Sequence, residues 1–306
     1  MLLLDSTTKD LSPWVQAFRQ HLPPSEVVTW DEVEDPTEIK LAVVWHHQKD
    51  LFNKIPNVKL VASLGAGVDH IVHDPLLPLD VAVSKVISDH LSTPMSNYCI
   101  GAILHFHKQF DKYLEDKHQK RWDPEFDPER ALTVGILGLG ELGTNLAKKL
   151  VNLGFEVHGL SRSKRNIERV ITYDQNEMDE FLSRVNALVC MLPTTTDTTG
   201  IIRKKLLSKL PMGSFLINVG RGKQQVDEDI IDALDSGQLA GAFLDVFPEE
   251  PLPASSPLWE HPKVFVTPHI AVVTKIEAAV PQIVENYQRL KNDQPLINQI
   301  DRNKGY

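Results

Sequence analysis

At 306 residues, 42% hydrophobic and 24% charged, the chain is long enough for two cores and ordinary in composition for a globular protein. Its formal net charge of −9 argues against a nucleic-acid or anionic-membrane surface, no apolar run reaches membrane-spanning length, and Met1-Leu2-Leu3-Leu4 is too short for a signal peptide. Cys99 and Cys190 lie in apolar stretches without CxxC spacing and read as core packing in a reducing compartment, so a cytoplasmic location is expected.

The first hundred residues alternate short apolar runs with helical ones. Strands are expected at 2–4, 27–28, 41–44, 60–62 and 81–83, and Trp14, Val15, Phe18 and Leu22 fall near one helix face between the first two. Such alternation implies a parallel sheet with crossover helices. Ser92-Thr93-Pro94 supplies a cap and a first-turn proline for one long helix with an apolar pattern over 95–114. The polar segment 116–130 then reads as a boundary or a surface arm. A second alternating set predicts six strands, at 132–137, 155–160, 187–192, 214–218, 241–245 and 264–266, matching a doubly wound nucleotide domain. The last helical stretch, 274–292, contains Pro281, which should kink or restart it. It is expected to pack back on the first domain, which makes that domain discontinuous: 1–98 with 279–306, and 99–278 as the inserted domain.

Gly138-Leu139-Gly140-Glu141-Leu142-Gly143 joins the strand at 132–137 to a helical run beginning at Glu141. A Gly-x-Gly-x-x-Gly turn in that position lets backbone amides meet a pyrophosphate. Gly138 allows the tight turn, Gly140 the approach of phosphate, and Gly143 close packing of helix on strand. The helix N-terminus adds partial positive charge at the same place, through Glu141 and Leu142. About 20 residues beyond the first glycine an NAD enzyme would carry Asp or Glu. This chain has Ser161-Arg162-Ser163-Lys164-Arg165 there, two hydroxyls and three cations that suit a 2′-phosphate. NADPH is therefore expected in preference to NADH.

Three further stretches follow expected strand ends, the edge where open α/β sheets bind ligands. They are Asn218-Val219-Gly220-Arg221-Gly222, Asp245-Val246-Phe247-Pro248-Glu249-Glu250-Pro251, and Thr267-Pro268-His269. A guanidinium can bind a carboxylate or polarise a carbonyl, an imidazolium can donate a proton, and a carboxylate beside it fixes its tautomer. No metal site is expected: His46 and His47 are adjacent, His105 and His107 face different sides of a helix, and His70 and His73 have no third ligand nearby.

These motifs, with Leu192-Pro193-Thr194 and Leu64-Gly65-Ala66-Gly67-Val68-Asp69, resemble the D-isomer-specific 2-hydroxyacid dehydrogenases over essentially the whole chain. Val44-Trp45-His46, Pro257-Leu258-Trp259 and the closing 301–306 support the resemblance. It implies a Rossmann cofactor domain inserted in a flavodoxin-like substrate domain, a homodimer, and NADPH-dependent reduction of small 2-oxo acids such as glyoxylate and hydroxypyruvate. It implies Arg221 as the substrate clamp, His269 as general acid and Glu250 as its pairing carboxylate, with Glu249 the competing choice. It places the substrate carboxylate on the amides of Ala66 and Gly67, Trp45 as a wall of the pocket, and Leu192, Pro193, Val219, Gly220 and Asp245 along the cofactor. The family commonly has Glu where this chain has Asn97. The same chemistry on larger 2-oxo acids is the alternative. A dinucleotide-sensing regulator, a role that also occurs on this fold, is disfavoured by the presence of Arg221, Glu250 and His269 and by the lack of a docking extension.

Overall fold

The computed structural model describes residues 1–124, 127 and 129–302. The chain divides into two compact units, Met1–Leu91 with Val273–Tyr306, and Ser92–Val272. Among the described residues the first unit holds a five-stranded, all-parallel sheet in the order β2-β1-β3-β4-β5. Its strands are β1 (Leu2–Ser6), β2 (Val27–Val28), β3 (Leu41–Trp45), β4 (Leu60–Ser63) and β5 (Ala82–Ser84). Leu2 to Leu4 and Leu41 to Val44 are wholly buried, as continuous apolar strands covered on both faces require. Helix α1 (Ser12–Arg19) buries Trp14 and Phe18, and the short α2 (Leu51–Lys54) and α3 (Asp69–Val72) follow β3 and β4.

The long helix expected over 95–114 is two. Helix α4 (Asp89–His107) begins earlier, so Pro94 lies inside it rather than in its first turn, and α5 (Phe110–His118) follows after Gln109 at a left-handed φ of 59°. The apolar pattern runs through that break, but α5 leaves its apolar residues Phe110 and Leu114 exposed and buries Asp116 instead. Of the polar segment 116–130, residues 125, 126 and 128 lie outside the described residues, as do 303–306.

The second unit contains β6 (Thr133–Leu137), α6 (Glu141–Asn152), β7 (Glu156–Leu160), β8 (Ile171–Tyr173), α7 (Met178–Arg184), β9 (Ala187–Cys190), α8 (Lys204–Leu207), β10 (Ser214–Asn218), α9 (Asp227–Asp235), β11 (Leu239–Leu244) and β12 (Val264–Val266). All strands are parallel in the order β12-β11-β10-β9-β6-β7-β8, which makes seven among the described residues where six were expected. The added strand, β8, is a three-residue edge strand with Ile171 exposed, too short to show alternation. Cys99, Ile103 and Phe106 of α4 and Leu146 and Leu150 of α6 pack in one core of this sheet, Phe181 of α7 and Ile230 and Leu234 of α9 in the other.

The chain returns to the first unit in α10 (Ile276–Lys291), which runs as one span through Pro281 and does not restart there. The proline removes a single backbone donor. Buried Ala279, Val280 and Ile283 anchor the helix on either side of it. Gln282 Oε1 accepts from the Ile87 amide (3.2 Å) and Asn298 Nδ2 (2.8 Å), fixing α10 within this unit.

Candidate active site

The order of the larger sheet reverses between β6 and β9: the chain leaves β6 for β7 and β8 on one side, then returns to pair β9 on the other. Ligands of open α/β sheets bind at such a switch. The glycine turn stands there. Gly138 has φ +106°, and a Cβ on it would lie 2.9 Å from the Met191 carbonyl oxygen. A Cβ on Gly143 would lie 2.0 Å from the Gly138 oxygen, so only glycine lets α6 approach β6 this closely. Gly140 differs: a Cβ there meets nothing within 4 Å. Its surface is open to a ligand, beside a helix start that no side chain caps and whose first amides, at Glu141, Leu142 and Gly143, have no carbonyl one turn back. A pyrophosphate fits this cradle.

Beyond β7 the residues expected to read the ribose form an exposed basic turn. Ser161 Oγ donates to the Ser163 carbonyl (2.8 Å), Lys164 Nζ pairs with Glu177 Oε1 (3.1 Å), and Arg162 and Arg165 are exposed. Glu156, the nearby acid, sits at the other end of β7 and is engaged by His158 Nε2 at 2.9 Å. No carboxylate occupies residues 161–165, and this donor set suits a phosphorylated ribose.

After β10 comes Arg221, and here the structure brings in a residue the sequence did not single out. Gln224 is fully buried. Its Nε2 donates to the carbonyls of Leu192 (2.7 Å) and Pro193 (3.0 Å), while its Oε1 accepts from the Arg221 amide (2.9 Å). One amide thus ties the loop after β9 to the loop that carries the guanidinium. Asn218 Nδ2 donates to Gln225 Oε1 (2.7 Å) and Asn218 Oδ1 accepts from the Gly220 amide (3.1 Å), bracing the same turn. Val219 and Gly220 are buried within it. Gly222 admits Phe247: a Cβ there would fall 1.8 Å from the Phe247 carbonyl. Thr194, next to Pro193, has a buried Oγ1 with no hydrogen-bond partner among the described residues.

Asp245, 1% exposed, ends β11 and faces loop 267–271. Its Oδ1 accepts from Thr267 Oγ1 (2.7 Å) and the Ile270 amide (2.8 Å), and its Oδ2 from the Ala271 amide (2.9 Å). Thr267 also hydrogen-bonds the Tyr98 hydroxyl, whose pKa is raised by burial first and by the Asp245 charge second. The Asp245 carbonyl accepts from the His269 amide (2.8 Å), and His269 takes a left-handed φ of +53°. The imidazole then meets Glu250: Nδ1 lies 2.7 Å from Oε2. Glu249 makes no such contact among the described residues. Glu250 Oε1 accepts from the Phe247 amide (2.9 Å), which sets the carboxylate's orientation. Burial alone would raise the Glu250 pKa. The His269 hydrogen bond, the Phe247 amide and the charges of His269 and Arg221 outweigh it and hold the carboxyl below its usual range.

In the first unit, turn 64–69 is held from inside. Ser63 Oγ donates to the Gly67 carbonyl (2.6 Å) and accepts from the Gly65 amide (3.2 Å), leaving Ala66 and Gly67 partly exposed at the end of β4. The Trp45 ring packs on this turn, since a Cβ on Gly65 would lie 2.9 Å from it. Asn97, at the position where a Glu was noted as common, is exposed on α4, and its side chain makes no hydrogen bond among the described residues.

Glycine turn, basic ribose end and a carboxylate-paired imidazole on one sheet edge are the equipment of a dinucleotide-dependent dehydrogenase. Residues 100–271 match the model of the D-isomer specific 2-hydroxyacid dehydrogenase NAD binding domain, and the chain belongs to that family. A glyoxylate/hydroxypyruvate reductase A of Klebsiella pneumoniae strain 342 is 38% identical, over 98% of this chain and 97% of that protein. Among solved structures, a D-isomer specific 2-hydroxyacid dehydrogenase from Xanthobacter autotrophicus Py2, in complex with NADPH and MES, superposes with a TM-score of 0.94 at 36% identity, covering 100% of this chain and 99% of that one. An NADPH-dependent glyoxylate/hydroxypyruvate reductase from Sinorhizobium meliloti, in complex with NADP and sulfate, gives 0.92 at 39% identity, with the same coverage.

Proposed function

We propose that this protein is an NADPH-dependent reductase of small 2-oxo acids, glyoxylate and hydroxypyruvate foremost. The observation that carries the reading is the His269–Glu250 pair at 2.7 Å, in the same unit as an open glycine turn followed by a basic strand end. Glyoxylate/hydroxypyruvate reductases among its relatives support the substrate class, and neighbours solved with NADPH or NADP support the cofactor.

NADPH, when bound, supplies a hydride to the substrate's carbonyl carbon. Gly138, Gly140, Glu141, Leu142 and Gly143 hold its pyrophosphate, and Ser161, Arg162, Ser163 and Lys164 its 2′-phosphate. Leu192, Pro193, Val219 and Gly220 line its path. Asp245 acts beside it chiefly by fixing loop 267–271. His269, with Nδ1 committed to Glu250, presents Nε2 to the carbonyl oxygen and donates the proton as that oxygen becomes an alkoxide. Glu250 keeps the tautomer and favours the imidazolium. Arg221 clamps the substrate carboxylate and offsets charge on the oxygen, as preorganised donors in a dry site do. The amides of Ala66 and Gly67 bind the carboxylate and Trp45 walls the pocket, so the first unit is the substrate domain and the second the cofactor domain. The protein works as a cytoplasmic homodimer.

The test is the loss of reduced-nicotinamide absorbance with NADPH or NADH against a panel of 2-oxo acids. Turnover of glyoxylate and hydroxypyruvate with NADPH favoured is expected. A preference for NADH removes the assignment of residues 161–165, and inactivity on every 2-oxo acid removes the function.

A further inference from the structure

Lys9 of the first unit is a cation with no carboxylate partner among the described residues. Lys9, in the loop after β1, is half-buried, and its Nζ lies 5.2 Å from the centroid of the Trp45 ring. The acids nearest in sequence are committed elsewhere: Asp5 accepts from Trp30 Nε1 (3.0 Å) and the Gln48 amide (2.8 Å), and Asp10 from the Ser12 amide (2.9 Å). Burial holds the Lys9 pKa below its usual value, a cost that no neighbouring negative charge offsets. The position is built. Ser6 Oγ accepts from the Lys9 amide (3.1 Å) and donates to the Trp45 carbonyl (2.6 Å), so the ends of β1 and β3 are stitched together beneath the ammonium.

The rings around it place this cation at the turn read above as the substrate-carboxylate loop. Trp45 lies on Gly65, the His70 ring is 4.8 Å from Trp45, and His46 stacks on His70 at 5.1 Å. One indole and two imidazole rings cluster at this turn, and Lys9 adds a fixed charge beside them. A half-buried ammonium offers three donors and gains most from an oxygen acceptor, above all an anionic one.

We propose that Lys9 is a specificity-determining residue whose ammonium, held over Trp45 beside turn 64–69, binds the oxygen-bearing group beyond C2 of the substrate. Hydroxypyruvate, with its C3 hydroxyl, and dicarboxylic 2-oxo acids such as oxaloacetate carry such a group; glyoxylate and pyruvate do not. The proposal rests on the reading of turn 64–69 as part of the substrate site.

The experiment compares kcat/KM for hydroxypyruvate, oxaloacetate and pyruvate, with NADPH, in the parent protein, Lys9→Met and Lys9→Arg. Hydroxypyruvate and pyruvate differ by one hydroxyl, so their ratio isolates the contact. Replacement by Met is expected to narrow the hydroxypyruvate-to-pyruvate and oxaloacetate-to-pyruvate ratios roughly tenfold, mostly through KM, and Arg to restore much of it. Calorimetric titration of the NADPH-loaded protein adds a readout without turnover. Tartronate, whose second carboxylate lies one carbon beyond C2, should lose affinity in Lys9→Met, and oxalate, which has no carbon beyond C2, should lose less. Ratios equal to the parent's in an active Lys9→Met protein overturn the role of Lys9 and leave the reductase reading standing. A parent that reduces no 2-oxo acid overturns both.

Discussion

At the scale of single residues, the pairing of His269 Nδ1 with Glu250 Oε2 leaves Nε2 as the ring atom for the proposed proton transfer. His269→Gln keeps the shape and a hydrogen bond to Glu250 but not the acid. We expect NADPH binding, followed by fluorescence, to persist while kcat falls about 10²–10⁴-fold. An undiminished kcat would refute the assignment. The lowered pKa of Glu250 has a defined consequence for stability. A carboxyl whose pKa is depressed by folding contributes stability above its unfolded value, near 4.3, and loses that contribution as pH falls through the folded value. In thermal melts, the advantage of the parent over Glu250→Gln should therefore shrink as pH falls through the carboxylate range and vanish below it. A gap that persists into strong acid would show that the pair is not the source.

Gln224 shows what the sequence could not disclose. Arg221, Glu250 and His269 stand out because their residue types carry chemistry at strand ends. A glutamine three residues past an arginine carries no such signal, and its partners Leu192 and Pro193 are remote in sequence. Gln224→Leu should strand two carbonyls and the Arg221 amide, at about 1–3 kcal/mol for each group left unpaired. Urea unfolding measures the loss. The surviving folded protein should show a larger rise in KM for the 2-oxo acid than a neutral core substitution produces.

Among the elements, the glycine turn yields a contrast that separates packing from ligand approach. Gly143→Ala forces a methyl into the Gly138 carbonyl, so α6 must move and both stability and NADPH affinity should fall. Gly140→Ala meets open space at an ordinary φ of −72°. Its stability should change by less than about 1 kcal/mol while NADPH affinity drops at least as far. Equal affinity in Gly140→Ala and the parent would mean that phosphate does not approach there. Most of the elements were readable because buried parallel strands are written as uninterrupted apolar runs and the turn glycines have distinct steric duties. The failures were at edges and breaks. Strand β8, three residues long, is too short for periodicity, and the division of α4 from α5 depends on one left-handed residue, Gln109, inside an otherwise helical pattern.

At the scale of the whole molecule, among the described residues no helix is long and apolar enough to cross a membrane. Apolar surface is nonetheless concentrated near α5: Phe110 is 54% exposed, Leu114 one turn on is 41% exposed, and Trp122 beyond the helix is 97% exposed. A soluble monomer seldom leaves such neighbouring large side chains in water. We propose them as a contact of the homodimer. Light scattering should give twice the chain mass for the parent, and Phe110→Ser with Leu114→Ser should shift it toward one chain. A monomeric parent would remove the dimer.

The Asp245 carboxylate fastens the loop bearing His269 through Thr267 and the amides of Ile270 and Ala271, and none of those bonds involves the imidazole ring. The loop that carries the proposed proton donor is therefore held by contacts outside the ring that would exchange the proton.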